Sequence, residues 1–239
     1  MTAFEMPARP TAAPTVLWAR DGVIALLGRI SETEEGPARW PQLRRRQRAA
    51  GTELAVEALG RLTGVAPSCF SLERSAGAPP RPVLAGRAAS GLYVSISHSE
   101  GWVAVAAARC PVGIDLERDI EGRHLDGLAF APNAFEPLSG RAQIQARTRA
   151  WCVLEAESKR RGIGLTVPFA ELSPPSSVRV ETGRLGDFAW ALSWGDSGAQ
   201  RAGQHPVGVV PARGGGDAVE PSGDRGEGRA LEAEGLLEV

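Results

Sequence analysis

The chain has 239 residues, 43% of them hydrophobic, and a formal net charge of −1. That is enough apolar surface for one large domain or two small ones, and it excludes global disorder. The near-neutral charge gives no global field for nucleic acid or an anionic membrane, and no stretch approaches the roughly 18 apolar residues of a membrane span.

The first residues show no basic region followed by a long apolar run, so no signal peptide is expected. Cys69, Cys110 and Cys152 lie far apart and form no C-x-x-C pair. This is neither a zinc pattern nor a disulfide framework, and it suits a reducing, cytoplasmic compartment. Of the 27 lysines and arginines only Lys159 is lysine. An ammonium kept against an arginine bias either marks a place that needs a point charge or is chance.

In chain order, residues 1–15 are Pro- and Ala-rich and read as a loose lead-in. Val16–Trp18 and Val23–Leu27 read as strands, and Glu32–Pro37 reads as a polar break before the first helix. That helix is Arg44–Leu62, with Leu54, Ala58, Leu59 and Leu62 on an apolar stripe, ended by Gly64 and Pro67. Gly77–Pro82 reads as a turn or loop. Tyr93–Ile96, Trp102–Ala108 and Val112–Glu117 read as short strands with Gly101 and Pro111 between them. Residues 119–140, with His124, Pro132 and Pro137, read as a loop. Arg141–Arg161 reads as a second long helix stopped by Gly162 and Gly164. Phe188–Trp194 reads as a last strand. The Gly- and Pro-rich remainder reads as a poorly ordered tail with a short helix from Arg229.

One long helix beside a small sheet on each side of the middle predicts an α+β fold of two similar halves. The expected boundaries are 1–100, 101–195 for the half carrying the acids, and 196–239 for the tail.

In Val112-Gly113-Ile114-Asp115-Leu116-Glu117 the apolar residues alternate, so Asp115 and Glu117 project together from the other strand face. Two carboxylates about 4 Å apart repel by roughly 4 kcal/mol at an effective dielectric of about 20. A divalent cation removes that repulsion, and oxygen ligands suit magnesium. Taken alone, the hexapeptide fits a metal pair or a solvated strand edge. Trp151, Glu155 and Lys159 recur every fourth residue and share a helix face. That spacing fits a shared site or a plain surface salt bridge, and Glu157 points elsewhere, toward solvent. Ser95-Ile96-Ser97-His98-Ser99 leaves a strand for a turn. It lacks a G-x-S-x-G nucleophile elbow and fits a phosphate-holding turn or a hydrogen-bonded cap. Arg39, Arg44, Arg45, Arg46 and Arg48 cluster around the start of the first helix, and Arg74 and Arg81 flank the Pro/Gly loop. Guanidinium groups bind phosphate bidentately, and they also serve solubility.

SISHS at Ser95–Ser99, GIDLE at Gly113–Glu117 and W-x-x-x-E-x-x-x-K at Trp151–Lys159, followed by Gly162-Ile163-Gly164-Leu165, resemble the Sfp-type 4′-phosphopantetheinyl transferases. The order and spacing agree over roughly residues 70–166, and RPVL at Arg81–Leu84 resembles the family's G-[KR]-P segment. Leu154 stands where the family usually has Lys. The resemblance implies two α+β halves in pseudo-twofold arrangement, each a long helix against a small antiparallel sheet, with coenzyme A between them. It implies magnesium on Asp115, Glu117 and Glu155, and coenzyme A phosphates on Ser97, His98, Arg39, Arg44, Arg48, Arg74, Arg81 and Lys159. Glu155, Lys159 and His98 are the expected catalytic residues. The implied reaction moves the 4′-phosphopantetheine arm from coenzyme A to a serine of an apo acyl or peptidyl carrier protein, releasing 3′,5′-ADP. The expected enzyme is a cytoplasmic monomer with no nucleic-acid or membrane partner. A non-catalytic accessory module that binds coenzyme A or a carrier domain is the alternative.

Overall fold

The computed structural model describes residues 13–30, 40–75, 77–121, 138–164 and 174–195. The expected polar break at 32–37, most of the lead-in and of the 119–140 loop, and the 196–239 tail with its short helix lie outside the described residues.

Strand β7 (Trp102–Ala108) explains the centre of the molecule. Ala104, Ala106 and Ala108 point to one side and Val103, Val105 and Ala107 to the other, and all six are buried. A strand apolar on both faces belongs inside a layered sheet. It pairs antiparallel with β2 (Val23–Arg29) and β6 (Tyr93–Ser99), and β1 (Thr15–Arg20) closes that four-stranded sheet in the order β1-β2-β7-β6. A second sheet has the order β8-β10-β9, from β8 (Val112–Arg118), β9 (Arg179–Leu185) and β10 (Phe188–Trp194). A third, β3-β4-β5, joins β3 (Phe70–Glu73), β4 (Arg81–Leu84) and β5 (Arg87–Ala88).

The two large sheets face one another. Val23, Ala25, Leu27, Ala104, Ala106 and Ala108 of the first pack on Val112, Ile114, Leu116, Trp190, Leu192 and Trp194 of the second. Helix α1 (Trp40–Thr63) sets Ala50, Leu54, Ala55, Ala58 and Leu59 against the outer face of the first sheet, on Leu26, Val103, Val105 and Ala107. Helix α2 (Gly140–Arg161) lays Cys152 and Ala156 on Ala189 and Ala191 of β10.

The expectation of two similar halves, each a long helix against a small antiparallel sheet, is therefore wrong. The described residues form three separate antiparallel sheets of unequal size with two long helices, and about 39% of them are strand. The principal core is shared between two sheets. Trp102–Ala108, read with the later strands, is an inner strand of the first sheet because both its faces are apolar. The third sheet was missed: the stretch Gly77–Pro82, read as a turn or loop, holds only the first two residues of β4, and Phe70–Glu73 and Arg87–Ala88 were not read as strands.

Local signals fared better. α1 begins a turn earlier than Arg44, with Pro41 in its first turn, where the missing N–H has no intrahelical partner to lose. α2 ends where predicted: Gly162 caps it in the left-handed conformation (φ 68°), its N–H donating to Lys159 O at 3.1 Å. Among the described residues no helix is long and apolar enough to cross a membrane.

Candidate metal and phosphate site

The site lies along the junction of the two large sheets. β8 pairs with β10 on one edge, and an antiparallel strand sends alternate N–H groups to its other edge. No backbone carbonyl takes those donors. Ser95, Ser97 and Ser99 of β6 do so with their side chains. Ile114 N donates to Ser95 Oγ at 3.1 Å, Leu116 N to Ser97 Oγ at 3.3 Å and Arg118 N to Ser99 Oγ at 3.2 Å. The offset is 19 residues each time, so β6 and β8 run in parallel along a seam of hydroxyls. Two hydroxyls also donate onward to the acids: Ser97 Oγ to Asp115 Oδ1 at 2.8 Å and Ser99 Oγ to Glu117 Oε2 at 3.3 Å. The strand expected to end at Ile96 thus runs through SISHS to Ser99, and the turn follows at Glu100-Gly101.

The opposite wall is α2. At Gly113 the helix backbone comes so close that a β-carbon would collide with the carbonyl oxygen of Ala156 and crowd Arg160 N. That approach carries Glu155 and Lys159 over β8. Asp115, Glu117 and Glu155 then offer one carboxylate oxygen each, all within 4.8 Å of one another. Lys159 Nζ donates to Asp115 Oδ1 at 2.6 Å and to Ser97 Oγ at 3.2 Å, and lies 3.5 Å from Glu155 Oε2.

The electrostatics are unbalanced. Three carboxylates face one ammonium, which leaves two negative charges without a counter-charge. Burial, followed by repulsion from Asp115 and Glu155, pushes the Glu117 carboxyl up to about 7. Burial and Asp115 also raise Glu155, against the pull of Lys159. Burial works against the Lys159 ammonium, but Asp115 and Glu155 outweigh it and its pKa rises. Asp115 is fully buried, and its Oδ2 has no hydrogen-bond partner. A buried carboxylate oxygen without a donor is costly unless something else neutralises it. An oxygen-only donor set with an excess charge of two fits a hard divalent cation such as magnesium.

The remaining predicted residues fall into two groups. Exposed Arg44 and Arg48 stand one helical turn apart on α1. Arg74 lies near Arg48: it donates to Thr52 Oγ1 at 3.0 Å, and burial, then the Arg48 charge, lowers its pKa. His98 faces away from the acids on β6. Its pKa is lowered by desolvation, with Lys159 and Arg44 also disfavouring its charge and Asp115 opposing them. His98 therefore feels both Lys159 and Arg44 of α1. Arg81 is exposed at the start of β4, and the adjoining Pro79 approaches the α2 cap, a β-carbon on Gly162 falling 3.4 Å from Pro79 Cγ. Arg39 lies outside the described residues. On the far side, Glu117 and Ser99 help line a cavity of about 820 Å³ reaching Gly140, Ile144 and Asp187.

Three functional features escaped the sequence reading. The period-2 repeat of Ser95, Ser97 and Ser99 was the available signal for the seam. Gly113, a glycine inside a strand, signalled close backbone approach. Glu157, expected in solvent, is fully buried.

The chain matches no family model and no curated protein sequence.

Proposed function

We propose that the protein transfers the 4′-phosphopantetheine arm of coenzyme A to a serine of an apo acyl or peptidyl carrier protein. The observation that carries this reading is the meeting of Asp115, Glu117 and Glu155 with the sole lysine, in a cluster short of two positive charges. The order of its motifs, similar to that of the Sfp-type transferases, supplies the reaction class.

Asp115, Glu117 and Glu155 would hold magnesium, which when bound neutralises pyrophosphate charge. Lys159 faces the same oxygens and stabilises the charge that develops as the pyrophosphate breaks. Arg44, Arg48, Arg74 and Arg81 would take the remaining phosphates of coenzyme A, with His98 as a hydrogen-bonding partner to them. The carrier serine attacks the β-phosphorus. The new oxygen–phosphorus bond replaces the bridging one, and 3′,5′-ADP departs with the bonding electron pair. Glu155, which reaches the acid cluster from α2, takes the serine proton. The widely separated thiols of Cys69, Cys110 and Cys152 fit a reducing compartment, and the reaction is assigned to the cytoplasm.

The test is to incubate the protein with coenzyme A, magnesium and a panel of apo carrier proteins from fatty acid, polyketide and nonribosomal peptide systems. Gain of a phosphopantetheine mass on the carrier serine supports the assignment. Coenzyme A binding without mass gain on any carrier overturns it in favour of an accessory binding module.

A further inference from the structure

α2 carries a second acid–base grouping, on the side away from the seam. Glu157 and Arg160 pair within the helix, with side chains 0% and 1% exposed. Arg160 Nε donates to Glu157 Oε2 at 2.8 Å and Arg160 NH2 to Oε1 at 2.7 Å. Ser193 Oγ of β10 donates to Glu157 Oε2 at 2.8 Å. Arg160 NH1 donates to Gly195 O, just past β10, at 3.0 Å. The pair therefore reaches from α2 to two points at the end of β10, and both charges are matched.

A buried ion pair is weak evidence of stabilisation, because apolar residues of similar volume often serve the fold as well or better. Its distinctive property is directional. Glu157 falls between Glu155 and Lys159 in sequence, and its bonds fix both the rotation and the axial position of that turn. On the other side the contact of Ala156 with Gly113 limits the same turn. We propose that Glu157 and Arg160, through Ser193 and Gly195, are positioning residues that hold Glu155 and Lys159 in register with Asp115. The inference rests on the metal-site reading of the acid cluster only for its cation readout. The register of Lys159 on Asp115 is a separate observable.

The experiment compares wild type with Glu157→Met/Arg160→Met, which keeps the volume and removes both charges. Lysine labelled with nitrogen-15 reports on a single side chain, because Lys159 is the chain's only lysine. Binding of Mn²⁺ alone is measured in parallel. The double variant is expected to fold with a melting temperature within about 5 °C of wild type. Its Lys159 ammonium signal should shift or exchange away, and Mn²⁺ should bind about tenfold more weakly, as when a ligand's supporting contact is lost. A folded variant with both readouts unchanged overturns the proposal. Should the double variant not fold, Ser193→Ala removes one bond to Glu157 and leaves both charges. A weaker Mn²⁺ affinity and a moved Lys159 signal support the proposal there, and no change in either overturns it. If wild type binds no Mn²⁺, the metal reading falls, and the Lys159 signal alone decides whether the pair sets the register.

Discussion

Two acid–base groupings interleave along the last turns of α2, and they are built to opposite rules. Glu157 and Arg160 are more deeply buried, yet both carboxylate oxygens accept hydrogen bonds and the charges cancel. Glu155 and Lys159 join Asp115 and Glu117 in a cluster with surplus negative charge and an unpartnered buried oxygen, Asp115 Oδ2. The first grouping is complete in itself and serves as an anchor. The second is complete only with something added. Burial alone does not separate an anchor from a site; the count of satisfied charges and lone pairs does.

The comparison breaks most sharply at Asp115. Asp115→Ala is expected to lower phosphopantetheine transfer by about a thousandfold or more while circular dichroism remains native. Wild-type rates in that variant would remove the site from the reaction.

The two helix acids should then respond with opposite signs. Glu157→Ala strands the Arg160 guanidinium in the interior and should destabilise the protein by about 3–5 kcal/mol in urea unfolding. Glu155→Gln removes one of the surplus charges. It should leave the metal-free protein as stable as wild type, or up to about 1 kcal/mol more stable. Equal losses in the two variants would erase the distinction between anchor and site.

That contrast was only half legible in the sequence. Asp115 and Glu117 announced themselves by alternation in a strand, and Glu155 and Lys159 by helical spacing. Both rules depend on neighbours in the chain, so both survived. The end of α1, both ends of α2 and six of the ten described strands were legible for the same reason. Glu157 was misread because Ser193, which donates to it, lies 36 residues away, and Gly195, which accepts from its partner Arg160, lies 35 residues beyond that arginine, so nothing local marks a buried charge. β9 was invisible because Arg179–Leu185 is an edge strand with no buried residue in its pattern. The division into sheets was misjudged because periodicity gives the faces of a strand and not its partners.

Acidity gives a gentler test. The folded-state pKa of Glu117 lies near 7, above its ordinary 4.5, so folding favours its protonated form. Its contribution to stability is therefore fully present below about pH 4.5 and is lost as pH rises through about 7. In chelator, the melting temperature should fall across that window. Magnesium should reverse the trend above it, raising the melting temperature by about 3–6 °C at pH 8. A flat profile in chelator, or one that magnesium leaves unmoved, would mean the surplus charge is not felt.

The smallest effect belongs to the seam. Ser99→Ala removes the acceptor for Arg118 N and the donor to Glu117 Oε2. It should cost about 1 kcal/mol in urea unfolding and raise the magnesium needed for half-maximal stabilisation about twofold. A variant indistinguishable from wild type in both would make the outermost hydroxyl of the seam dispensable.

The seam has a further consequence, for the order in which the chain becomes competent. Lys159 reaches Asp115 across 44 residues and Ser97 across 62. Closing loops of that length spends chain entropy before any contact returns it. A nascent or partly unfolded chain can hold β6 against β7, a neighbouring hairpin, without holding any part of the acid cluster together. The cluster exists only once α2 has docked on a finished second sheet, so a cation that binds there selects completed molecules and draws the folding equilibrium toward them.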